Sequence, residues 1–159
     1  MPAAPRAASA SPPDSAAANA SGRLPASRRL RSPAQFVAVT SDPQALRAGR
    51  RWLSIAGRVQ AAGSEVPVRF GFTASRRHAR RAVDRNTAKR LLREAARRHI
   101  PQLDAAAAGR SVDIVLRLKA TAPERAALSR RAWKEALRGE ADALLMELAR
   151  RLRGAGEGR

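Results

Sequence analysis

The sequence predicts an α+β domain: a small four-stranded sheet with three helices. Periodicity orders them as helix, two or three strands, helix, strand, helix. Three observations carry that prediction. Val68, Phe70, Phe72 and Ala74 alternate with Arg69, Gly71, Thr73 and Ser75, the period of a strand with one buried face. Ala88, Leu91, Leu92, Ala95 and Ala96 then recur at three-and-four spacing, the stripe of a helix laid on a sheet. A branched run from Ser111 to Leu118 is followed by a second stripe through Trp133, Ala136, Leu137, Ala141, Leu144, Leu145 and Leu148. Elements in this order form one sheet with helices gathered on one side.

Taken along the chain, residues 1–22 hold Ala, Pro and Ser with no aromatic or branched aliphatic residue. Such a segment cannot bury enough surface to offset its ordering entropy, so it is expected to be a disordered extension. Pro12, Pro13 and Asp14 stand where the apolar stretch of a secretory signal would lie. The folded domain is expected over 23–153, with a flexible tail at 154–159. Ser32-Pro33 reads as an N-cap and first helical position, with Leu30 packing back on Phe36. Ser41-Asp42-Pro43 reads as a second cap-and-proline start, closed by Gly49. Arg51 to Gln60 is a strand with Leu53, Ile55, Gly57 and Val59 on one side, and Trp52 packs at the sheet edge. Ala61 to Ser64 turns the chain into the next strand. Asp84 is the expected cap of the central helix, and Ile100-Pro101 its expected end, with a loop from Asp104 to Arg110. Thr121-Ala122-Pro123 breaks the last strand. Ser129 caps the last helix, in which Gly139 costs ~1 kcal/mol relative to Ala and marks a bend.

The chain carries 32 Lys and Arg against 13 Asp and Glu, a net charge of +19. That excess calls for a polyanionic partner, either nucleic acid or an anionic membrane. No apolar run approaches the ~20 residues of a membrane span. The absence of cysteine rules out disulfides and thiolate metal sites and is compatible with the cytoplasm, the expected location. From Arg76 to His99 the basic residues are Arg76, Arg77, Arg80, Arg81, Arg85, Lys89, Arg90, Arg93, Arg97 and Arg98, opposed by Asp84 and Glu94 alone. With the apolar stripe on a sheet, Arg85, Asn86, Lys89, Arg90 and Arg93 fall on the flanks and outer face, over about 12 Å at ~1.5 Å per residue. Phosphates recur on a comparable scale, whereas a face that only confers solubility mixes both signs. Arg76 and Arg77 add two guanidinium groups from the preceding loop.

The same residues carry a resemblance. AVDRNTAKRLLREAAR is similar to the signature of the bacterial ribonuclease P protein family, which Ala82, Val83, Arg85, Asn86, Lys89, Arg90, Arg93 and Glu94 match. Arg69, Gly71, Ser75, Arg76 and Arg77 match the pattern upstream. Thr87 stands where the family usually carries a second arginine, and its hydroxyl is a hydrogen-bond donor in place of that charge. The resemblance spans roughly Leu24 to Leu152. It implies a ribosomal-S5-like fold with a left-handed crossover into the basic helix. It implies RNA binding by Arg76, Arg77, Arg85, Asn86, Lys89, Arg90 and Arg93. It also implies binding of a 5′ leader in a cleft formed by Phe36, Arg69 and Thr73, although Thr40 replaces the second aromatic residue common there. The partners implied are a catalytic RNA and precursor tRNA, with Mg²⁺ acting through the RNA; no protein oligomer is expected. The alternative is a ribosomal or nucleoid-type binding protein with no part in cleavage.

No catalytic constellation of the chain's own is visible. His78 and His99 lie in different elements, neither with a partner at metal-ligand spacing. Glu94, four residues from Arg90 and from Arg98, reads as an ion-pair residue, and Asp113 as a structural carboxylate. A phosphate loop, a nucleophile elbow and paired carboxylates are all missing. No catalytic or metal-binding residue is therefore expected, and any cleavage belongs to a partner.

Overall fold

A computed structural model describes residues 23–60, 66–121 and 129–157. The expected disorder of 1–22, the turn at 61–64 and the break at Ala122-Pro123 lie outside the described residues.

Leu24 is buried, and a 3₁₀ turn at Ala26–Arg28 is pinned to the body of the fold by Arg28, which pairs with Asp104 at 2.7 Å. Helix α1 spans Pro33–Thr40. Its start follows the expected chemistry: Ser32 caps it, the Gln35 N–H donates to Ser32 Oγ, and the Ser32 N–H donates to Gln35 Oε1. The Ser41–Gly49 stretch corrects the reading of a second helix start. Asp42 Oδ1 accepts from the Gln44 N–H and its carbonyl from the Ala45 N–H, so Pro43 sits in a turn. The chain leaves that turn as strand β1, Leu46–Gly49.

Strands β2 (Leu53–Gln60), β3 (Val68–Thr73) and β4 (Ser111–Leu118) complete a sheet of order β1-β2-β4-β3. β1 and β4 each pair antiparallel with β2, while β3 runs parallel to β4. Parallel neighbours need a crossover, and helix α2, Ala82–Ala107, supplies it. Two expectations about α2 are corrected. Arg81, not Asp84, is its N-cap, and it continues as helix past Pro101. Pro101 forgoes one backbone hydrogen bond, at a cost of ~3 kcal/mol. The apolar stripe nevertheless continues through Ile100, Leu103, Ala106 and Ala107, all buried, and holds the helix together beyond the break. It ends where Ala108 and Gly109 take positive φ of 50° and 83°, the latter a conformation that suits glycine. Helix α3, Arg130–Glu157, is capped by Ser129 and carries the expected apolar face. It continues as helix through Gly139 and through Gly154, into the stretch expected as a tail.

The two long helices cover one sheet face and bury Val68, Phe70, Ile114, Leu116, Leu91, Leu92, Leu144 and Leu148 between them and the strands. Glu140 of α3 accepts from the N–H groups of Trp52 and Leu53, which fixes the start of β2 and holds Trp52 buried at the sheet margin. Among the described residues, α1 is the helix that crosses the opposite face, over a small cluster of Leu30, Val39, Ala56 and Val115.

Candidate nucleic-acid interface

The loop before α2 is short and internally bonded. Ser75 O accepts from the N–H groups of His78 and Ala79, and Ala79 is buried. That turn leaves Arg76 and Arg77 exposed. Arg85 faces inward: its Nη1 donates to the carbonyls of Ala79 and Arg80 at 3.0 and 2.8 Å, tying loop to helix. Beyond it, Asn86 and Arg90 are exposed and Lys89 and Arg93 half-buried. The side chains of these four make no hydrogen bond or ion pair among the described residues. Glu94, expected to pair with Arg90 and Arg98, makes no ion pair there either; Arg98 turns to Asp142 of α3 at 3.1 Å.

Thr87 does not lie on the outer face. It is buried, and its Oγ1 accepts from Arg130 Nη2 at 3.1 Å while Arg130 Nη1 meets Asp84 at 2.6 Å. The first turn of α3 thus lies across the first turns of α2, which takes the Thr87 hydroxyl out of reach of solvent.

At the other end of the basic face, Arg93 approaches the chain's opening segment. Burial, followed by the charges of Arg93, Arg31 and Arg23, holds the Arg29 guanidinium below its usual pKa. Arg29 Nη2 and Nε both donate to the Leu24 carbonyl, so this cation is retained among like charges. A multivalent anion would relieve that repulsion.

On the α1 face, Phe36, Arg69 and Thr73 are brought together. Phe36 lies over Gly71: a Cβ on Gly71 would come within 2.5 Å of the ring's Cε1 and 2.7 Å of Cζ. The ring is half-buried, packed on the Leu30 cluster yet partly open. Thr73 is half-buried at the end of β3. Arg69 is tightly engaged, donating from Nε and Nη2 to the two oxygens of Asp113 at 2.9 and 2.8 Å. Gln60 Nε2 donates to the same carboxylate.

Sequence reasoning missed the basic groups at one end of the sheet. Thr73 pairs with Arg117 and Leu118 with Leu53, so the end of β4, the β1–β2 hairpin and the loop after β3 all lie at that end. Arg50, Arg51, Arg117 and Lys119 are exposed there beside Arg76 and Arg77. A signal existed: Arg117 interrupts the outward positions of an otherwise buried strand. Arg50 and Arg51 gave none, because no local pattern marks the short strand that precedes them.

Most of the acids are engaged in structure; Glu94 is not, and the buried Nδ1 of His78 has no hydrogen-bond partner among the described residues. His99 lies between Asp142 and Gln102, at 3.0 and 3.1 Å. Asp104, Asp113, Asp142 and Glu147 are each held by arginine. Among the described residues, no group of three or more His, Cys, Asp or Glu could hold a metal ion. No described helix is long and apolar enough to cross a membrane.

Fold and site together define a small α+β protein whose crossover helix presents a predominantly cationic outer face. The Ribonuclease P family pattern matches residues 24–141, and the chain belongs to that family. A relative from Pectobacterium atrosepticum named ribonuclease P protein component is 38% identical over 84 residues, covering 51% of this chain and 66% of the relative. A relative of the same name from Erwinia tasmaniensis is 40% identical over 84 residues with the same coverage. The match therefore spans just under two thirds of the length of these relatives. The fold is that of the Staphylococcus aureus RNase P protein: one structure gives a TM-score of 0.54 over 76% of this chain and 94% of that one, at 17% identity. A second gives 0.51 over 79% and 92%, also at 17% identity.

Proposed function

We propose that this chain is the protein subunit of ribonuclease P, working in the cytoplasm with a catalytic RNA to remove the 5′ leader from precursor tRNA. The observation that carries the reading is the outer face of α2. Asn86, Lys89, Arg90 and Arg93 stand there without an internal partner among the described residues, beside exposed Arg76 and Arg77. A folded protein gains nothing from unopposed like charges; a second macromolecule of opposite sign does. This face binds the RNA subunit. The α1 cleft, with Phe36 over Gly71 and Thr73 at the strand end, receives the single-stranded leader. Arg69 shapes that cleft through its pair with Asp113.

The hydrolytic chemistry resides on the RNA subunit with its bound Mg²⁺. No cluster of three or more metal-ligating side chains occurs among the described residues, and the contribution proposed for the protein is electrostatic and positional. Its arginines lower the repulsion between two RNAs and fix the leader relative to the scissile bond.

The test is precursor-tRNA processing with and without a transcribed bacterial ribonuclease P RNA. The RNA-free protein should not cleave, and with the RNA it should lower the Mg²⁺ needed for correct 5′ ends. Arg90→Ala should weaken binding to the RNA subunit and reduce the salt slope by roughly 0.7–0.9 for each phosphate no longer neutralised. Phe36→Ala should act mainly on precursor over mature tRNA, by ~1–3 kcal/mol for a stacked base. Cleavage by rigorously RNA-free protein overturns the proposal.

A further inference from the structure

Arginine at the start of α3 is placed against the physics of an isolated helix. Arg130 and Arg131 occupy the first turn, where the helix dipole disfavours cations, and that turn holds no acidic residue. Ser129 already caps it, its Oγ accepting from the Ala132 N–H at 3.1 Å, so Arg130 is not needed for capping. Arg131 is answered by Glu135 on its own helix. Arg130 instead reaches across to α2, where it contacts Asp84 and Thr87, one helical turn apart. Thr87 lies buried beneath that contact, at the margin of the basic face, between exposed Asn86 and Arg90 in the sequence.

We infer that Arg130 is a further RNA-contacting residue, by which α3 supplies across the helix pair the guanidinium that α2 lacks at Thr87. The inference rests on the function proposed above. Arg130 keeps 45% of its side-chain surface exposed, against 18% for Asp84. Its two contacts leave most of the five N–H donors of a guanidinium uncommitted. Asp84 and Thr87 act as positioning residues: they hold the group along the surface of α2, and a preoriented fork loses less freedom when it meets a phosphate. Asp84 belongs to the first turn of α2, where the dipole favours its own charge, so it orients Arg130 without strain.

The experiment is salt-dependent binding of the full chain to a transcribed bacterial ribonuclease P RNA, with thermal melts alongside. Arg130→Ala should bind more weakly and lower the salt slope by roughly 0.7–0.9. The double variant Arg130→Ala, Thr87→Arg should regain that slope, since the charge returns to the same place from α2. Asp84→Ala breaks the same interhelical clamp but leaves the cation, so it should keep the slope even where its melting temperature falls as far as that of Arg130→Ala. An unchanged slope in Arg130→Ala overturns the inference alone. So does an equal fall in slope in Asp84→Ala and Arg130→Ala, which would make Arg130 a clamp and nothing more. A wild-type protein that binds this RNA no better than an unrelated RNA of equal length overturns the proposed function, and this inference with it.

Discussion

Removing the Asp113 carboxylate should test whether the sheet face under α1 is held by charge. Asp113 retains only 5% of its side-chain surface, and Arg69 28%. Three hydrogen bonds converge on the carboxylate, two from Arg69 and one from Gln60, all between 2.8 and 2.9 Å. Losing one partner of a buried pair costs about 3–5 kcal/mol, because the remaining charge is left uncompensated. Arg69 is open enough for water to recover part of that loss, so about 2–3 kcal/mol is the expected cost of Asp113→Ala. At 2–4 °C per kcal/mol for a chain of this size, the melting temperature should drop by about 4–12 °C. Asp113→Asn keeps an acceptor for Arg69 and should lose less. Thermal and urea unfolding followed by circular dichroism measure both, with an unchanged urea slope showing that the native surface is otherwise intact. Arg69 released into the cleft should also raise the salt slope for leader-bearing RNA. A drop of less than about 2 °C, under ~1 kcal/mol, would mean that Arg69 and Asp113 do not hold this face together.

Two further outcomes follow from single contacts. Gly71→Ala should force the Phe36 ring off β3, at about 1–3 kcal/mol by overpacking, and reduce the preference for precursor over mature tRNA; thermal melts and competitive binding read the two effects, and an unaltered melt would show that the ring does not rest on Gly71. Glu140→Ala should leave the Trp52 and Leu53 N–H groups without their acceptor, costing about 1–3 kcal/mol in urea unfolding and changing Trp52 fluorescence; no change in either would place the start of β2 under other control.

Elements with a long periodic stripe were legible in the sequence. Val68 to Thr73, Ser111 to Leu118, and the faces of α2 and α3 each repeat an apolar pattern over enough residues to declare their period. The capping box at Ser32 was legible because its chemistry is local. What failed was decided at long range. β1 has four residues and is held by pairing with β2, so Pro43 and Gly49 around it looked like helix punctuation. Pro101 looked like a helix end because nothing local reveals that Leu103 and Ala106 will be buried beyond it. The basic face was legible as a count of charges, whereas the turn of Arg85 toward its own loop was not.

The same distinction separates the arginines into two populations. Arg28, Arg69, Arg98 and Arg151 each bridge to an acid, and Arg110 donates to carbonyls at the ends of both long helices. These hold the fold, and between them they take up four of the ten acids among the described residues. Those four carboxylates serve as internal anchors, and on the outer face of α2 the side chains of Lys89, Arg90 and Arg93 outnumber Glu94 and have no acidic partner among the described residues. Concentrating acids inside and leaving cations outside raises the field on one surface beyond what net charge alone would set. Arg130 stands at the boundary, anchored by Asp84 yet nearly half exposed. Arg98 and Arg151 are paired and similarly exposed, but Arg130 alone of the three contacts both Asp84 and Thr87 in the first turns of α2. Its replacement is therefore the one that tests a structural role against the RNA-binding one proposed for it.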